Sequence, residues 1–182
     1  SGGADTLKGG AGIDTLDGSN ATGSLNIVSS FVYDSYGKTT STSDFEYIIG
    51  SNYNDTIQGG STDETLVGGD GDDVISGGYG TNYMFGEAGN DTFKSSYGTN
   101  YYDGGDGFDI VDYIGSSDSI NVNLSTGLAS GGHAANDYYT SIEGIIGSKY
   151  NDTIAAGLDG TYVNGEAGND FIVSGAGADT LD

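Results

Sequence analysis

Acidic and amide side chains recur at every ninth residue through the middle of this chain. The column consists of Asp55, Glu64, Asp73, Asn82, Asp91, Asn100 and Asp109. Carboxylates repeated in this way suit a hard divalent cation, which prefers oxygen ligands. They do not form a catalytic set, because the sequence has no HExxH or GxSxG motif and His133 is its one histidine. We therefore expect a metal-binding chain and not an enzyme.

A large apolar residue follows each member of this column by two positions. These residues are Ile57, Leu66, Ile75, Met84, Phe93, Tyr102 and Val111. A constant period has to be interpreted before any local motif, because it defines the architecture of the whole chain. Together with the glycine pairs, as in GGDGDDVIS, the pattern resembles the nonapeptide GGxGxDxUx of the RTX calcium-binding family.

The resemblance implies an all-β fold, a right-handed parallel β-roll (a β-solenoid) with two nonapeptides per coil, interrupted by β-rich inserts. Each nonapeptide would form a Gly-rich turn and a short strand whose middle residue points inward. A coil then buries only about two side chains, which at roughly 25 cal/mol per Å² cannot offset the ordering entropy of its residues. Calcium fits the need for a further bond between turns, because about 6–8 oxygens satisfy it and backbone carbonyls are among them.

The resemblance also implies that several Ca2+ ions bind, each between two stacked turns. One predicted site uses Gly69, Gly71 and Asp73 with Gly86, Ala88 and Asp91. The next uses Glu87, Gly89 and Asp91 with Gly104, Asp106 and Asp109. A site at the start of the block joins Ser51, Tyr53 and Asp55 to Gly68, Asp70 and Asp73, and its counterpart joins Ser148, Tyr150 and Asp152 to Gly165, Ala167 and Asp170. Asp14 and Asp179 complete the set, and Tyr53 and Tyr150 stand where the family has glycine.

Stacking at a spacing of 18 residues separates the column into two rows. One edge of the roll would carry Asp55, Asp73, Asp91 and Asp109, and the other Glu64, Asn82, Asn100 and, in the second block, Thr161. Amides lack the charge that a divalent ion requires, so we expect weak calcium binding or none in the second row. The same stacking pairs Tyr79 with Tyr97, Thr81 with Thr99, Asn82 with Asn100 and Tyr83 with Tyr101. This row is either a turn that no longer needs metal or a contact face for a sugar, ice or a neighbouring protein.

The nine-residue period is interrupted twice. We expect the end of a β-roll block at residues 1–16, an insert at 17–49, a block at 50–111, an insert at 112–146 and the start of a second block at 147–182. The inserts end alike, in FEYIIGSNYNDTI and IEGIIGSKYNDTI, which defines a tandem unit of about 97 residues.

Charge excludes several classes of partner. The chain carries 27 acids against 4 Lys and Arg, a formal net charge of -23, and has no cysteine. Nucleic acids and anionic membrane surfaces are therefore poor partners. No apolar run approaches the roughly 20 residues of a membrane helix, so we expect no membrane insertion.

These observations predict a calcium-folded structural segment of a secreted or cell-surface protein, such as an adhesin, an S-layer or a fibre. The resemblance implies type I secretion, and copies of the chain are expected to associate with one another. The alternatives are a carbohydrate- or ice-binding module that uses the Tyr/Thr/Asn face against a surface glycan, or an accessory roll of a secreted enzyme or toxin.

Overall fold

Two long sheets account for nearly all regular structure. The computed structural model describes residues 6–28, 31–34, 39–158 and 160–182. Sheet 1 contains, in spatial order, β1 (Thr6–Lys8), β5 (Thr39–Ser43), β4 (Phe31–Asp34), β3 (Leu25–Val28), β7 (Thr56–Gln58), β9 (Val74–Ser76), β11 (Thr92–Lys94), β13 (Ile110–Asp112), β17 (Gly144–Ile146), β19 (Tyr162–Asn164) and β21 (Thr180–Leu181). Sheet 2 contains β2 (Thr15–Asp17), β6 (Tyr47–Ile49), β8 (Thr65–Asp70), β10 (Thr81–Ala88), β12 (Thr99–Asp106), β16 (Tyr138–Thr140), β15 (Leu128–Ser130), β14 (Asn121–Asn123), β18 (Thr153–Ala155) and β20 (Phe171–Val173).

The repeats wind between the two sheets as a β-roll with two nonapeptides per coil, as predicted. In sheet 2, Asn82 of β10 pairs in parallel with Asn100 of β12. In sheet 1, Phe93 of β11 pairs with Val111 of β13. Each partner lies 18 residues further along the chain, because consecutive nonapeptides enter opposite sheets.

The apolar column forms the core. Every member from Ile57 to Val111 is at most 1% exposed, and strands of both sheets contribute to the same buried cluster. The column weakens toward the end of the chain, where Leu181 is 44% exposed. A three-residue strand buries one side chain because its neighbours point to the opposite face.

The two inserts add strands to the sheets of the roll. Strands β3, β4 and β5 lie between β1 and β7, with β4 antiparallel to both of its neighbours. Strands β14, β15 and β16 occupy the same kind of position between β12 and β18. A short 3-10 helix, Gly132–Ala134, precedes β16. Within the described ranges no helix is long and apolar enough to cross a membrane.

The first insert forms in sheet 1 and the second in sheet 2, and this corrects one sequence prediction. We name the turns that lead into sheet 1 the first edge and those that lead into sheet 2 the second edge. Thr161 precedes β19 of sheet 1, so the prediction that it shares an edge with Glu64 is wrong. Asp152 and Asp170 precede β18 and β20 of sheet 2 and therefore lie on the second edge. The aspartate row changes edge between the two blocks.

Candidate metal centre

Aspartates of the first edge form a continuous ladder up the roll. The backbone N–H of Asp55 donates to Oδ1 of Asp73 at 2.7 Å, that of Asp73 to Asp91 at 2.8 Å, and that of Asp91 to Asp109 at 2.7 Å. All four side chains are at most 2% exposed. One oxygen of each upper carboxylate is thus held rigidly by the turn below it.

The second oxygen of these carboxylates lacks a hydrogen-bond partner. Oδ2 of Asp73, Asp91 and Asp109 is buried and receives no donor within the described structure. A buried polar atom without a partner is costly, and a charged one more so. An arrangement of this kind needs a cation or a proton.

Backbone carbonyls converge on the same points. A Cβ built on Gly86 would lie 2.1 Å from Oδ2 of Asp91 and 2.5 Å from the carbonyl oxygen of Gly104 in the turn above. On Gly68 it would meet Oδ2 of Asp73 at 2.2 Å and the Gly86 carbonyl at 2.9 Å. Glycine is required here because a side chain would fill the space between these oxygens. Carboxylate and carbonyl oxygens brought together in this way are the ligands that Ca2+ prefers.

Other predicted carbonyl ligands lie in the same stacked turns. The carbonyl oxygens of Gly71, Glu87 and Gly89 face the turn above. Each lies 1.8–2.1 Å from a Cβ built on the glycine 18 residues later, which is Gly89, Gly105 or Gly107. The carbonyls of Ala88 and Asp106 accept an N–H from the turn below at 2.7 and 2.9 Å. No group of three or more His, Asp or Glu side chains converges in the part of the chain that the structure describes. Any metal site here must therefore combine carboxylates with backbone oxygens.

Burial raises the pKa of the ladder carboxyls. Desolvation, and then the charges of neighbouring aspartates, raise the pKa of Asp73 to about 7. Desolvation and nearby carboxylates likewise raise the pKa of Asp109 to about 6, and burial raises that of Asp91. The cation nearest in sequence, Lys94, is bonded to Asp112 at 2.5 Å. Among the described residues no cationic side chain forms an ion pair with these carboxyls, so their charge is not neutralised by the protein when they are ionised.

At the first turn of each block the aspartate is satisfied by protein donors. Asp55 accepts the N–H and the Oγ–H of Ser51, at 2.5 and 2.9 Å, and the N–H of Leu25 at 2.6 Å. Asp152 accepts the corresponding bonds from Ser148 and Ile120. Serine here supplies two donors to the aspartate, whereas Oδ2 of Asp73, Asp91 and Asp109 has no donor.

Four predicted ligands lie near the C-terminal end of the described roll. Asp170 and Asp179 are half-buried and accept the N–H of Asp152 and Thr161, both at 2.9 Å. Asp179 also accepts the N–H of Gly175. Gly165 lies beside Asp170, whose Oδ2 would be 2.7 Å from an added Cβ. Ala167 is exposed in the same turn.

On the second edge asparagine side chains stand where the first edge has aspartates. Nδ2 of Asn82 donates to Oδ1 of Asn100 at 3.2 Å and to the carbonyl of Tyr79 at 3.4 Å. It lies 2.5 Å from a Cβ built on Gly77, where the aspartate turns place Oδ2. Nδ2 of Asn100 donates in turn to Ser96 and Asp137. This amide ladder confirms the predicted stacking of Asn82 on Asn100.

Asp137 continues this row, and the sequence pattern missed it because it lies in an insert outside the nine-residue period. Oδ1 accepts the backbone N–H of Asn100 at 2.9 Å, and Oδ2 accepts the hydroxyl of Tyr113 at 2.8 Å and that of Tyr102 at 3.4 Å. The side chain is fully buried, and desolvation raises its pKa to about 7 despite these bonds. Only the folded structure reveals this residue, through its burial between Tyr102 and Tyr113.

Stacked tyrosine rings line the second edge and the outer face of sheet 2. Tyr79 and Tyr97 lie parallel with centroids 5.8 Å apart. Tyr83, Tyr101 and Tyr138 form a continuous stack with spacings of 4.6 and 4.7 Å. Thr81 pairs with Thr99 in the adjoining strands, as predicted. Each ring therefore covers the face of its neighbour.

Comparison with protein families identifies the repeats. The RTX calcium-binding nonapeptide repeat matches four times, at residues 1–21, 40–75, 58–93 and 76–111, which together span about half of the chain. The chain belongs to this family and is a calcium-binding repeat region of the RTX type. No curated protein matches it.

Proposed function

We propose that this segment is folded by several calcium ions bound between the aspartate turns and serves as a stiff repetitive element of a secreted or cell-surface protein. The observation that carries the proposal is the row of buried Oδ2 atoms on Asp73, Asp91 and Asp109 without donors. When bound, calcium supplies the positive charge that these turns lack.

Two sites have the fullest support from the geometry. Asp73 and Asp91, with the carbonyls of Gly69, Gly71, Gly86 and Ala88, would hold one ion. Asp91 and Asp109, with those of Glu87, Gly89, Gly104 and Asp106, would hold the next. Asp91 contributes to both sites because its turn is stacked between the other two. The turns beginning at Ser51 and Ser148 rank lower, since serine donors already occupy their carboxylates.

Calcium-dependent folding suits export. A net charge of -23 in 182 residues opposes collapse when no counter-ion is bound. Because a preformed site does not exist in the unfolded chain, the free energy of binding becomes free energy of folding. Extracellular calcium modules have dissociation constants of roughly 0.1–1 mM, far above cytosolic calcium, so the chain would stay unfolded until it leaves the cell.

Circular dichroism tests this proposal directly. In EDTA at pH 8 we expect a coil spectrum, and added calcium should produce β-structure in one cooperative transition. Magnesium is the matched control, because it demands six close ligands in a strict octahedron that these turns do not offer. A β-spectrum already complete in EDTA contradicts the proposal.

Stacking of the tyrosines favours a structural role over glycan binding. A sugar binds an aromatic side chain through the open face of the ring, whereas Tyr83, Tyr101 and Tyr138 cover one another at interplanar angles of 6–8°. Substituting Tyr79, Tyr97 and Tyr101 with alanine should therefore leave a glycan-array profile unchanged. A lost glycan signal with calcium folding intact would establish the binding module instead.

A further inference from the structure

The aspartate ladder does not end where the repeats end. Eighteen residues after Asp109 the sequence has Gly127, which offers no carboxylate. The N–H of Asp109 nevertheless has an acceptor, Oε2 of Glu143 at 3.0 Å. Glu143 belongs to the segment that returns from the second insert and leads into β17. A glutamate from the insert thus takes the next place in the ladder.

A carbonyl oxygen is replaced in the same way. A Cβ built on Gly104 would lie 2.0 Å from the carbonyl oxygen of Ser141 and 2.3 Å from Oδ2 of Asp109. In the regular turns the corresponding position, on Gly86, lies beside the carbonyl of Gly104 in the turn above and Oδ2 of Asp91. Ser141 has φ +49°, a left-handed conformation that a serine rarely adopts. The left-handed backbone of Ser141 directs its carbonyl oxygen toward Gly104 and Oδ2 of Asp109.

The returning turn is shorter than a repeat turn. Gly86 and Asp91 are five positions apart, whereas Ser141 and Glu143 are two apart. The additional methylene group of glutamate spans the difference, which explains the change from aspartate. Beside it, Asp109 is fully buried and its Oδ2 lacks a donor. Burial together with the charges of Asp91 and Glu143 raises the pKa of Asp109 to about 6.

The same arrangement recurs at the first insert. The N–H of Asp14 donates to Oε2 of Glu46 at 3.0 Å, and the buried Oδ2 of Asp14 has no donor. The carbonyl of Asp44, at φ +61°, lies 1.9 Å from a Cβ built on Gly9. Two inserts with different strands therefore end in one constellation of aspartate, left-handed carbonyl and glutamate.

We propose that each junction binds a divalent cation of the calcium type, held at the second insert by Asp109, the Ser141 carbonyl and Glu143, and at the first by Asp14, the Asp44 carbonyl and Glu46. This proposal rests on the calcium binding proposed above, and it adds two sites that the nonapeptide repeat does not contain. Ser141, Ile142 and Glu143 also line part of a small cleft. Both cations would fasten the end of an insert to the last repeat turn, so that roll and inserts fold as one unit.

Native mass spectrometry of the full chain in calcium counts the ions directly. Glu143→Gln keeps an oxygen that can accept the Asp109 N–H but removes the charge, so we expect one ion fewer per chain. Glu46→Gln should lose one ion as well, and the double variant two. Glu166→Gln is the matched control, since that glutamate is exposed and its side chain accepts a bond from Asn164 in its own turn. It should keep the wild-type count.

The outcomes separate the two proposals. A wild-type chain that binds no calcium refutes the proposed function. A wild type that binds calcium while Glu143→Gln and Glu46→Gln keep its full count refutes the junction sites alone. Should either variant fail to fold, a crystal structure of the wild type grown in calcium decides the matter. Density for an ion about 2.3–2.6 Å from the Ser141 carbonyl and the Glu143 carboxylate is expected, and its absence from a roll with filled repeat sites overturns the inference.

Discussion

Replacing Asp91 by asparagine should have opposite effects on stability with and without calcium. Oδ1 of Asp91 accepts the Asp73 N–H, and asparagine keeps that acceptor. Oδ2, which is buried without a donor, becomes an NH2 group facing the carbonyl of Gly104. Asn82 on the second edge already holds its amide nitrogen in the equivalent position. The variant therefore tests charge at constant shape.

The magnitudes follow from the two environments. Without calcium at pH 8, removing an unpaired buried carboxylate should stabilise the fold by about 1–3 kcal/mol. With calcium at a hundred times the dissociation constant, each site contributes about 2.7 kcal/mol, and loss of both sites that share Asp91 removes about 5 kcal/mol. The calcium-bound variant should thus be several kcal/mol less stable than the wild type.

Urea unfolding in saturating calcium and in EDTA with a stabilising osmolyte measures both differences, and calorimetric titration counts the sites. Asp63→Asn is the matched control, because Asp63 is exposed on the second edge and its Oδ1 bond from Thr81 survives the change. It should shift stability by less than about 0.5 kcal/mol in either buffer. Equal calcium stoichiometry for Asp91→Asn and wild type, or a less stable variant in EDTA, refutes the reasoning.

Two further substitutions test the surroundings of the ladder. The folded pKa of Asp137 is about 7, above its ordinary value of 3.8, so the wild type loses stability as the pH rises from the lower of these values to the higher. The free energy of unfolding of Asp137→Asn relative to wild type should therefore rise by on the order of 4 kcal/mol between pH 4 and 8. Urea unfolding with saturating calcium measures this difference, and a difference that does not change with pH would contradict the prediction. Gly86→Ala places a Cβ between Asp91 and Gly104 and should cost about 1–3 kcal/mol and one calcium ion by titration. Gly115→Ala is the control, because a Cβ there meets nothing within 4 Å. Equal effects of the two substitutions would refute the role of Gly86 in leaving room between the oxygens of Asp91 and Gly104.

Sequence periodicity was enough to define the core and the stacking. The alternation of a Gly-rich turn with a three-residue strand is encoded locally. Glycine permits the turn, and the middle residue of each strand is apolar because it points inward. Asn82 on Asn100 and Phe93 on Val111 therefore follow from a period of nine residues and two sheets. Asp73 and Asp91 stack at the predicted spacing of 18 residues.

Only the tertiary structure decided which edge each block uses and what continues the ladder beyond it. An insert has no nine-residue period, so its sequence does not state in which sheet its strands will pair. That choice depends on hydrogen bonds between residues far apart in the chain, such as Leu25 to Asp55 and Ile120 to Asp152. Because the first insert joins sheet 1 and the second joins sheet 2, the aspartate row changes edge. Glu143 enters the ladder for the same reason, since the folded insert brings it beside Asp109, 34 residues earlier in the chain.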